Sequence, residues 1–148
     1  MIITLCKPLT VDEFVSYYHF RWKILRKPWN QPKGSERDGK DKTSIHRMII
    51  EESTNQIIAV GRLHFNTKKE AQIRYMAVAD GYQGQGLGSK ILRALEKIAL
   101  EQGVRWIILQ ARWNAVQFYK NNGYEIVKKS YILFGEIQHW LMRKAYER

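Results

Sequence analysis

A single stretch of the chain, from Ala71 to Ser89, constrains the fold more than any other part. Up to Ala79 its residues are mainly apolar or β-branched with little helical spacing, which predicts a strand. Glycines follow at positions 81, 84, 86 and 88, and apolar residues then recur at helical spacing to about residue 102. A strand, a glycine-rich turn and a helix N-terminus in this order gather unpaired backbone N–H groups at one point, where a phosphate group can be held.

The spacing within this turn excludes two common phosphate-binding motifs. A Walker A loop needs a Lys and a Ser or Thr directly after its last glycine, whereas Leu87 follows Gly86. In the dinucleotide-binding pattern G-x-G-x-x-G, Ser89 stands where the third glycine belongs. The pattern that remains is Gln83-x-x-Gly86-x-Gly88. On its own, this pattern also fits a turn that merely joins a strand to a helix.

The whole chain, residues 1–148, has the length and composition of one globular domain. Of its 148 residues 45% are hydrophobic, which is enough for one core. The N-terminus lacks the pattern of a signal peptide, and no apolar segment approaches the roughly 20 residues of a membrane helix. Cys6 is the only cysteine, which excludes an intramolecular disulfide and a cysteine-based metal site. We therefore expect a cytoplasmic protein that does not enter the membrane.

The net charge of the chain is +11, with 25 Lys and Arg against 14 Asp and Glu. The positive excess is spread along the chain, without a basic tail or cluster. Such a surface suits a polyanion, an anionic cofactor or solubility alone. Nucleic acid is the less favoured partner, because the Trp and Tyr residues are interspersed with apolar residues and not with Lys and Arg.

The remaining patterns predict the element order β-α-β-β-β-α-β-α-β-β. The first helix begins after Thr10, whose side chain is expected to form a capping box with Glu13. Arg21 lies on a polar face of this helix, from which it could contact a ligand. The residues of this helix that are predicted to face the core are Val11, Phe14, Val15, Tyr18, Trp22 and Leu25. The predicted strands are residues 1–6, 44–52, 56–66, 71–79, 104–110, 124–134 and 137–146, and the later helices are 88–102 and 114–122.

Residues 27–42 form the one long polar segment and contain two prolines and two glycines. Within a compact domain, a segment of this length without secondary structure is usually functional or mobile. Two alternatives stay open at this point. The segment is either a lid that contributes Trp29 as an apolar contact, or a disordered surface loop.

A second motif lies further along the chain and reads Asn114-Ala115-Val116-Gln117-Phe118-Tyr119-Lys120-Asn121-Asn122-Gly123-Tyr124. Together with the glycine turn it resembles the GNAT superfamily of acetyl-CoA-dependent N-acetyltransferases, although Ala115 sits earlier than in the commonest spacing. Residues 25–36 and 133–145 resemble a bacterial subgroup whose substrate is unassigned. The resemblance implies an α+β fold of three layers, with a mixed central sheet of about seven strands that is flanked by helices and splayed between strands four and five.

The same resemblance implies acetyl-CoA as the co-substrate and no metal. The pantetheine arm is expected to pair with the fourth strand like an added strand, and the pyrophosphate is expected to bind the amides of the glycine turn. A backbone N–H of the fourth strand would polarise the thioester carbonyl. The expected cofactor-binding residues are Met76, Ala77, Val78, Gln83, Gly84, Gln85, Gly86, Leu87, Gly88, Ser89, Asn114 and Phe118. Capping of its own helix is an alternative role for Asn114.

Tyr119 falls where many family members carry a Tyr that protonates the leaving thiolate, and packing beneath the cofactor is the alternative. The general base is less defined, because the fourth strand carries no acid at the position that many members use. The candidates are His64, His139 and the two carboxylates at positions 51 and 52. Arg62, His64 and Arg74 alternate in a way that fits either a pocket for an acidic or phosphorylated acceptor or a solvated strand face.

These patterns favour an N-acetyltransferase that transfers the acetyl group of acetyl-CoA to a primary amine by direct attack. The amine belongs to a small molecule or a peptide. The alternative function is a non-catalytic module that senses acyl-CoA or binds nucleic acid through the basic surface. The expected partners are acetyl-CoA and an unidentified amine, and a homodimer stays open.

Overall fold

A computed structural model describes residues 1–146 and contains one seven-stranded mixed sheet. The strand order is β1-β2-β3-β4-β5-β7-β6, and only the neighbours β4 and β5 are parallel. The strands are β1 Ile3–Cys6, β2 Ile45–Glu51, β3 Gln56–Phe65, β4 Glu70–Val78, β5 Trp106–Arg112, β6 Glu125–Leu133 and β7 Ile137–Ala145. The helices are α1 Val11–Leu25, α2 Leu87–Glu101 and α3 Trp113–Asn121, with 3₁₀ turns at Lys27–Trp29 and Asp41–Thr43. The predicted element order and the mixed sheet are confirmed.

The sheet carries one apolar cluster with α2 and α3 and a second one with α1. The predicted apolar face of α2 is confirmed, since Ile91, Leu92, Leu95 and Ala99 are fully buried. Gly103 ends this helix region with a φ of 89°, as a glycine in the left-handed conformation commonly does. Within residues 1–146, no helix combines the length and the hydropathy that crossing a bilayer requires.

The predicted core face of α1 is right only in part, and the capping box of Thr10 with Glu13 is present. Phe14, Tyr18 and Leu25 of that face pack against the second apolar cluster. The residues that α1 buries are Tyr17, Phe20 and Arg21, whereas Val11 is 80% exposed and Val15 61% exposed. The most buried face is rotated from the predicted one by about 100°, which is one residue step in a helix. The aromatic residues of α1 itself lie on most of its sides. Apolar spacing alone therefore does not identify which side of the helix is buried.

Arg21 does not face a ligand, because it is fully buried in an ion-pair network. Its Nη1 donates to Asp41 Oδ1 at 2.9 Å, and the same Oδ1 accepts from Arg62 Nη1 at 3.1 Å. Arg62 Nη1 also donates to Asp38 Oδ1 at 2.6 Å, and Arg74 Nη1 donates to Asp38 Oδ2 at 3.2 Å. Arg62 is therefore part of the interior and not of a solvated strand face.

The same network orders residues 27–42, which corrects the alternative of a disordered loop. Burial alone would raise the pKa of Asp41, but the adjacent Arg21 and Arg62 guanidiniums bring that pKa below its usual range. Burial likewise acts to raise the pKa of Asp38, and hydrogen bonds from Arg62 and from the Lys40 amide lower it to about 2. Both carboxylates are therefore ionised at neutral pH and hold the segment against the sheet.

The variant Asp41→Asn tests the contribution of this network. Arg21 and Arg62 would lose the carboxylate that they share, and removing one partner of a buried ion pair costs about 3–5 kcal/mol. We expect the free energy of unfolding, measured by urea denaturation with circular dichroism, to fall by about 3 kcal/mol or more. The matched variant Glu101→Gln removes the same charge at an exposed position. It should change the free energy of unfolding by about 0.5 kcal/mol at most. Equal losses in both variants would contradict a special role for Asp41.

Candidate functional site

β4 and β5 are parallel neighbours that pair along only part of their length. The pairs join Glu70–Ile73 of β4 to Trp106–Leu109 of β5. Beyond these pairs, β4 continues to Val78 and β5 to Arg112 without further pairing between them. The expected splay between strands four and five is thus confirmed. Along this gap the backbone of β4 can pair with an extended ligand.

A β-bulge lies where the gap begins. Tyr75 has a φ of 56°, and the register between β3 and β4 shifts around Gly61, which lies opposite it. A Cβ at Gly61 would lie 2.5 Å from Ile91 Cγ2 and 2.6 Å from Met76 Sδ, so only glycine fits there without rearrangement. The bulge places Arg74 and Tyr75 together on the α1 side, with the guanidinium 4.7 Å from the ring centre. Bulges commonly re-aim side chains in this way beside functional sites.

The glycine turn joins the end of β4 to the N-terminus of α2. Gly81, Gly84 and Gly86 have φ values of 84°, 78° and 80°, which favour glycine. The first turn of α2 is closed by Lys90 N, which donates to Gly86 O at 3.1 Å. The amides of residues 87–89 precede that bond and have no partner within the helix. Residues 83–86 are exposed, so the turn presents its N–H groups to solvent at the positive end of the helix dipole.

The helix α3 lies against this turn. Phe118 is so close to Gly88 that a Cβ on the glycine would lie 3.1 Å from the ring. Asn114 is exposed near the start of α3. The alternative that Asn114 caps this helix is wrong, because the helix begins at Trp113 with Arg112 as its N-cap residue.

A cleft of about 110 Å³ occupies the gap between β4 and β5. Its lining includes residues of the sheet and of the helices on both sides of the sheet. α3 contributes Ala115 and Tyr119, while Arg26 and Trp29 come from the end of α1 and the turn that follows it. Residues 27–42 therefore supply part of the cleft wall through Trp29, as the lid alternative requires. The other lining residues are Leu25, Ile73, Arg74, Tyr75, Met76, Leu109, Gln110, Ala111, Arg112, Tyr131, Leu133, Ile137 and His139.

Tyr119 and Phe118 are neighbours on α3 with ring centres 5.0 Å apart. Tyr119 is 8% exposed and lines the cleft. Burial raises the pKa of its phenol well above the usual value, and the positive charge of Arg112 opposes this rise only in part. A phenol of this kind keeps its proton at neutral pH, which is the form that a general acid needs, while the raised pKa makes it a weaker acid than an ordinary phenol.

His139 lies on β7 directly opposite Arg112 of β5 and lines the same cleft. Its Nδ1 lies 3.0 Å from Ile137 O, which can only accept, so Nδ1 carries the proton and Nε2 keeps a lone pair. The imidazole stacks on Tyr131, with ring centres 4.6 Å apart. Burial lowers the pKa of His139, Ile137 O opposes this, and nearby arginine charges lower it further. The neutral imidazole can therefore accept a proton at neutral pH.

The structure does not bring His64 to this cleft. Its Nδ1 accepts from Arg62 Nη2 at 3.1 Å, and its Nε2 donates to Asn66 Oδ1 at 3.1 Å. Burial, followed by the charges of Arg62 and Lys40, lowers the pKa of His64 to about 4. With both ring nitrogens engaged and the charged form disfavoured, His64 is a structural residue of the buried network.

The two carboxylates that were candidates for the base also lie outside the cleft lining. Glu51 accepts hydrogen bonds from Thr54 Oγ1 and Tyr82 Oη, and Glu52 accepts one from Thr4 Oγ1. Both carboxylates therefore support the region around β1 and β2 and do not face Tyr119.

Among the cleft residues that sequence patterns missed, three carry a guanidinium or a phenol, namely Arg26, Arg112 and Tyr131. β5 ends two residues later than predicted, at Arg112, and this shift carries that arginine into the gap. Tyr131 lies in β6, whose pairing with β7 is interrupted by two register shifts, so alternation cannot tell which way it faces. A basic residue at the end of a parallel strand was the one available signal for Arg112.

Comparisons with known proteins agree with this geometry. The model of the Acetyltransferase (GNAT) family matches residues 14–124. The chain is 28% identical over 133 residues to the uncharacterized N-acetyltransferase YjcF of Bacillus subtilis, covering 90% of this chain and 93% of that protein.

Two solved structures illustrate the shared fold. An acyl-CoA N-acyltransferase from Pseudomonas aeruginosa superposes with a TM-score of 0.80 at 23% identity, over 97% of this chain and 99% of the other. An aminoglycoside 6'-N-acetyltransferase complexed with coenzyme A superposes with a TM-score of 0.78 at 13% identity, over 100% of this chain and 99% of the other. At these identities the likeness concerns the fold alone. Since the family match spans most of the sequence, the chain belongs to the GNAT family of acetyltransferases.

Proposed function

We propose that this protein transfers the acetyl group of acetyl-CoA to a primary amine of a small molecule or a peptide. The observation that carries the proposal is the gap between β4 and β5, which has the phenol of Tyr119 and the imidazole of His139 in its walls. The bound coenzyme A in a neighbour of the same fold supports the choice of acetyl donor. The identity of the acceptor amine is not part of this proposal.

The chain's own residues fit the donor in two places. The backbone of Met76–Val78 faces the gap and can pair with the pantetheine arm as an added strand would. The exposed amides of residues 83–89 can bind the pyrophosphate, aided by the α2 dipole. The ring of Phe118 on α3 lies against Gly88 of the turn, and Asn114 is exposed near the start of the same helix.

Acetyl-CoA supplies a thioester, whose carbonyl carbon forms a bond to the amine nitrogen while its bond to sulfur breaks. A backbone N–H of Met76–Val78 stabilises the negative charge on the carbonyl oxygen. His139 Nε2 takes the proton that the attacking nitrogen loses, and Tyr119 Oη gives a proton to the departing sulfur. Direct attack needs no covalent enzyme intermediate, so holding the two substrates together supplies much of the rate.

The variant Gly86→Glu tests the pyrophosphate site. It adds a carboxylate where the phosphates are expected and forces a side chain onto a φ of 80°, a conformation that costs about 1–2 kcal/mol outside glycine. We expect the dissociation constant of acetyl-CoA, measured by isothermal titration, to rise about tenfold or more. Gly103→Glu is the matched control, because Gly103 has a φ of 89° and lies at the opposite end of α2. Equal effects of the two variants would contradict the site.

The variant Tyr119→Phe tests the proton donor. Removing a general acid typically lowers the rate by about 10²–10⁴-fold, while the retained ring preserves the contact with Phe118. We expect this loss in kcat, measured as thiol release from acetyl-CoA with a panel of primary amines, with acetyl-CoA affinity unchanged. Tyr124→Phe removes another buried phenol, one that donates to Glu96, and should leave kcat near its original value. An unchanged kcat in Tyr119→Phe would leave that residue with a packing role only.

The variant His139→Gln tests the base through pH. The pKa of His139 is lowered from its ordinary value of 6.5, so its base function is present above that value and is lost as the pH falls through the lowered pKa. We expect the ratio of native to variant kcat/KM to be constant above pH 6.5 and to fall toward one below it. Taking the ratio removes the titration of the amine itself. A ratio that is near one at every pH would exclude His139 as the base.

A further inference from the structure

The charges that line the cleft are all of one sign. Arg26, Arg74 and Arg112 contribute guanidiniums, and no Asp or Glu of residues 1–146 lines this space. The cleft thus collects positive charge in a partly buried volume, where like charges repel strongly. An arrangement of this kind is stabilised by an anion that enters the cleft.

Arg26 is the most buried of the three, with 8% exposure. Its Nε donates to Ser35 O at 3.1 Å and its Nη1 to Leu25 O at 3.2 Å. The guanidinium also lies 5.5 Å from the ring centre of Tyr75, so these partners carry no negative charge. Burial lowers the pKa of Arg26, nearby tyrosines oppose this, and the charge of Arg74 lowers it further. Arg26 is therefore a buried cation without a carboxylate to balance it among the residues described.

Arg74 and Arg112 are also incompletely neutralised. Arg74 reaches a single carboxylate, that of Asp38, at 3.2 Å, and Asp38 already binds the buried Arg62 at 2.6 Å. Arg112 is half-buried, and within residues 1–146 no hydrogen bond or ion pair of its guanidinium is found. Its donors are free to bind a planar anion in bidentate fashion.

The three guanidiniums and His139 line the same cleft. In keeping with this, each of the three charges contributes to lowering the pKa of the His139 imidazole. None of residues 79–89 lines the cleft, so this positive field is separate from the proposed pyrophosphate site. Arg26 lines the cleft together with Trp29 and Tyr131, and we place the acceptor on this side of it.

We propose that the acceptor is a primary amine that also carries an anionic oxygen group, a carboxylate or a phosphate, held by Arg26, Arg74 and Arg112. This inference rests on the proposed acetyl transfer, because it names the substrate class of the same site. The positive field disfavours an ammonium ion and so promotes loss of the proton that must leave before attack. The anionic group attracts the arginines and so offsets their repulsion of the amine. A polycationic amine has no negative charge to offset this repulsion.

Matched pairs of amines test the proposal. The probes are β-alanine against propylamine, and 2-aminoethyl phosphate against 2-aminoethanol, with 1,4-diaminobutane as a dication. Each probe is titrated calorimetrically into protein saturated with coenzyme A, and its kcat/KM with acetyl-CoA is measured in parallel. We expect at least one probe with an anionic group to bind about tenfold more tightly than its partner without that group, and the dication to bind most weakly. The two pairs distinguish a carboxylate from a phosphate as the preferred group.

The variant Arg112→Gln localises the effect. Because Arg112 has no ion pair to lose in the described structure, its replacement should preserve the fold and the affinity for acetyl-CoA. We expect the preference for the anionic probe to fall about tenfold. Arg93→Gln removes the same charge from an exposed position on α2 and should leave the preference unchanged.

The outcomes separate this inference from the proposed function. Failure to bind acetyl-CoA would remove the proposed function itself. If acetyl-CoA binds but the probes without an anionic group bind equally well or more tightly, the anionic acceptor alone is overturned. An anionic preference that survives in Arg112→Gln and in Arg74→Gln would likewise overturn the assignment to these arginines.

Discussion

The site depends on the incomplete pairing of β4 with β5, and the bulge at Tyr75 is the local feature that accompanies it. The strands pair over four positions and then separate where Tyr75 adopts a positive φ opposite Gly61. A non-glycine residue in that conformation costs about 1–3 kcal/mol, which the surrounding packing must supply. The bulge also breaks side-chain alternation, so that Arg74 and Tyr75 both lie on the α1 side, while Met76 packs on the α2 side. One irregularity thereby opens the cleft and determines which side chains line it.

The second requirement is the buried network of arginines and aspartates on the α1 side. Asp41 joins Arg21 of α1 to Arg62 of β3, and this bond ties residues 27–42 to the sheet. The segment leaves α1 through Arg26 and Trp29, both of which line the cleft. Ion pairs of this kind add little stability compared with apolar packing, but they require one particular arrangement of their partners. Here that arrangement fixes the wall of the cleft at which the acceptor is expected.

The sequence was sufficient for those features that depend on local patterns. The element order, the capping box of Thr10 and the glycine turn follow from spacing along the chain, and all are present. It was insufficient where partners are distant in sequence. The buried face of α1 includes Arg21 because Asp41 neutralises it, and His64 is engaged because Arg62 and Asn66 lie beside it. A pattern of apolar residues contains no information on such pairs, so the charged residues of the interior were assigned to the surface or to a pocket.

The positive field of the cleft and the proposed role of His139 as the base impose opposite demands on this residue. Arginine charges lower its pKa and keep Nε2 unprotonated at neutral pH, yet the same charges disfavour the imidazolium that forms when it accepts a proton. An anionic acceptor resolves this conflict, because its negative charge offsets the arginine field while it is bound. The pKa of His139 would then rise toward that of the amine only in the presence of substrate. Under the proposed acceptor class, the base is therefore weak in the free enzyme and becomes stronger when the correct amine occupies the cleft.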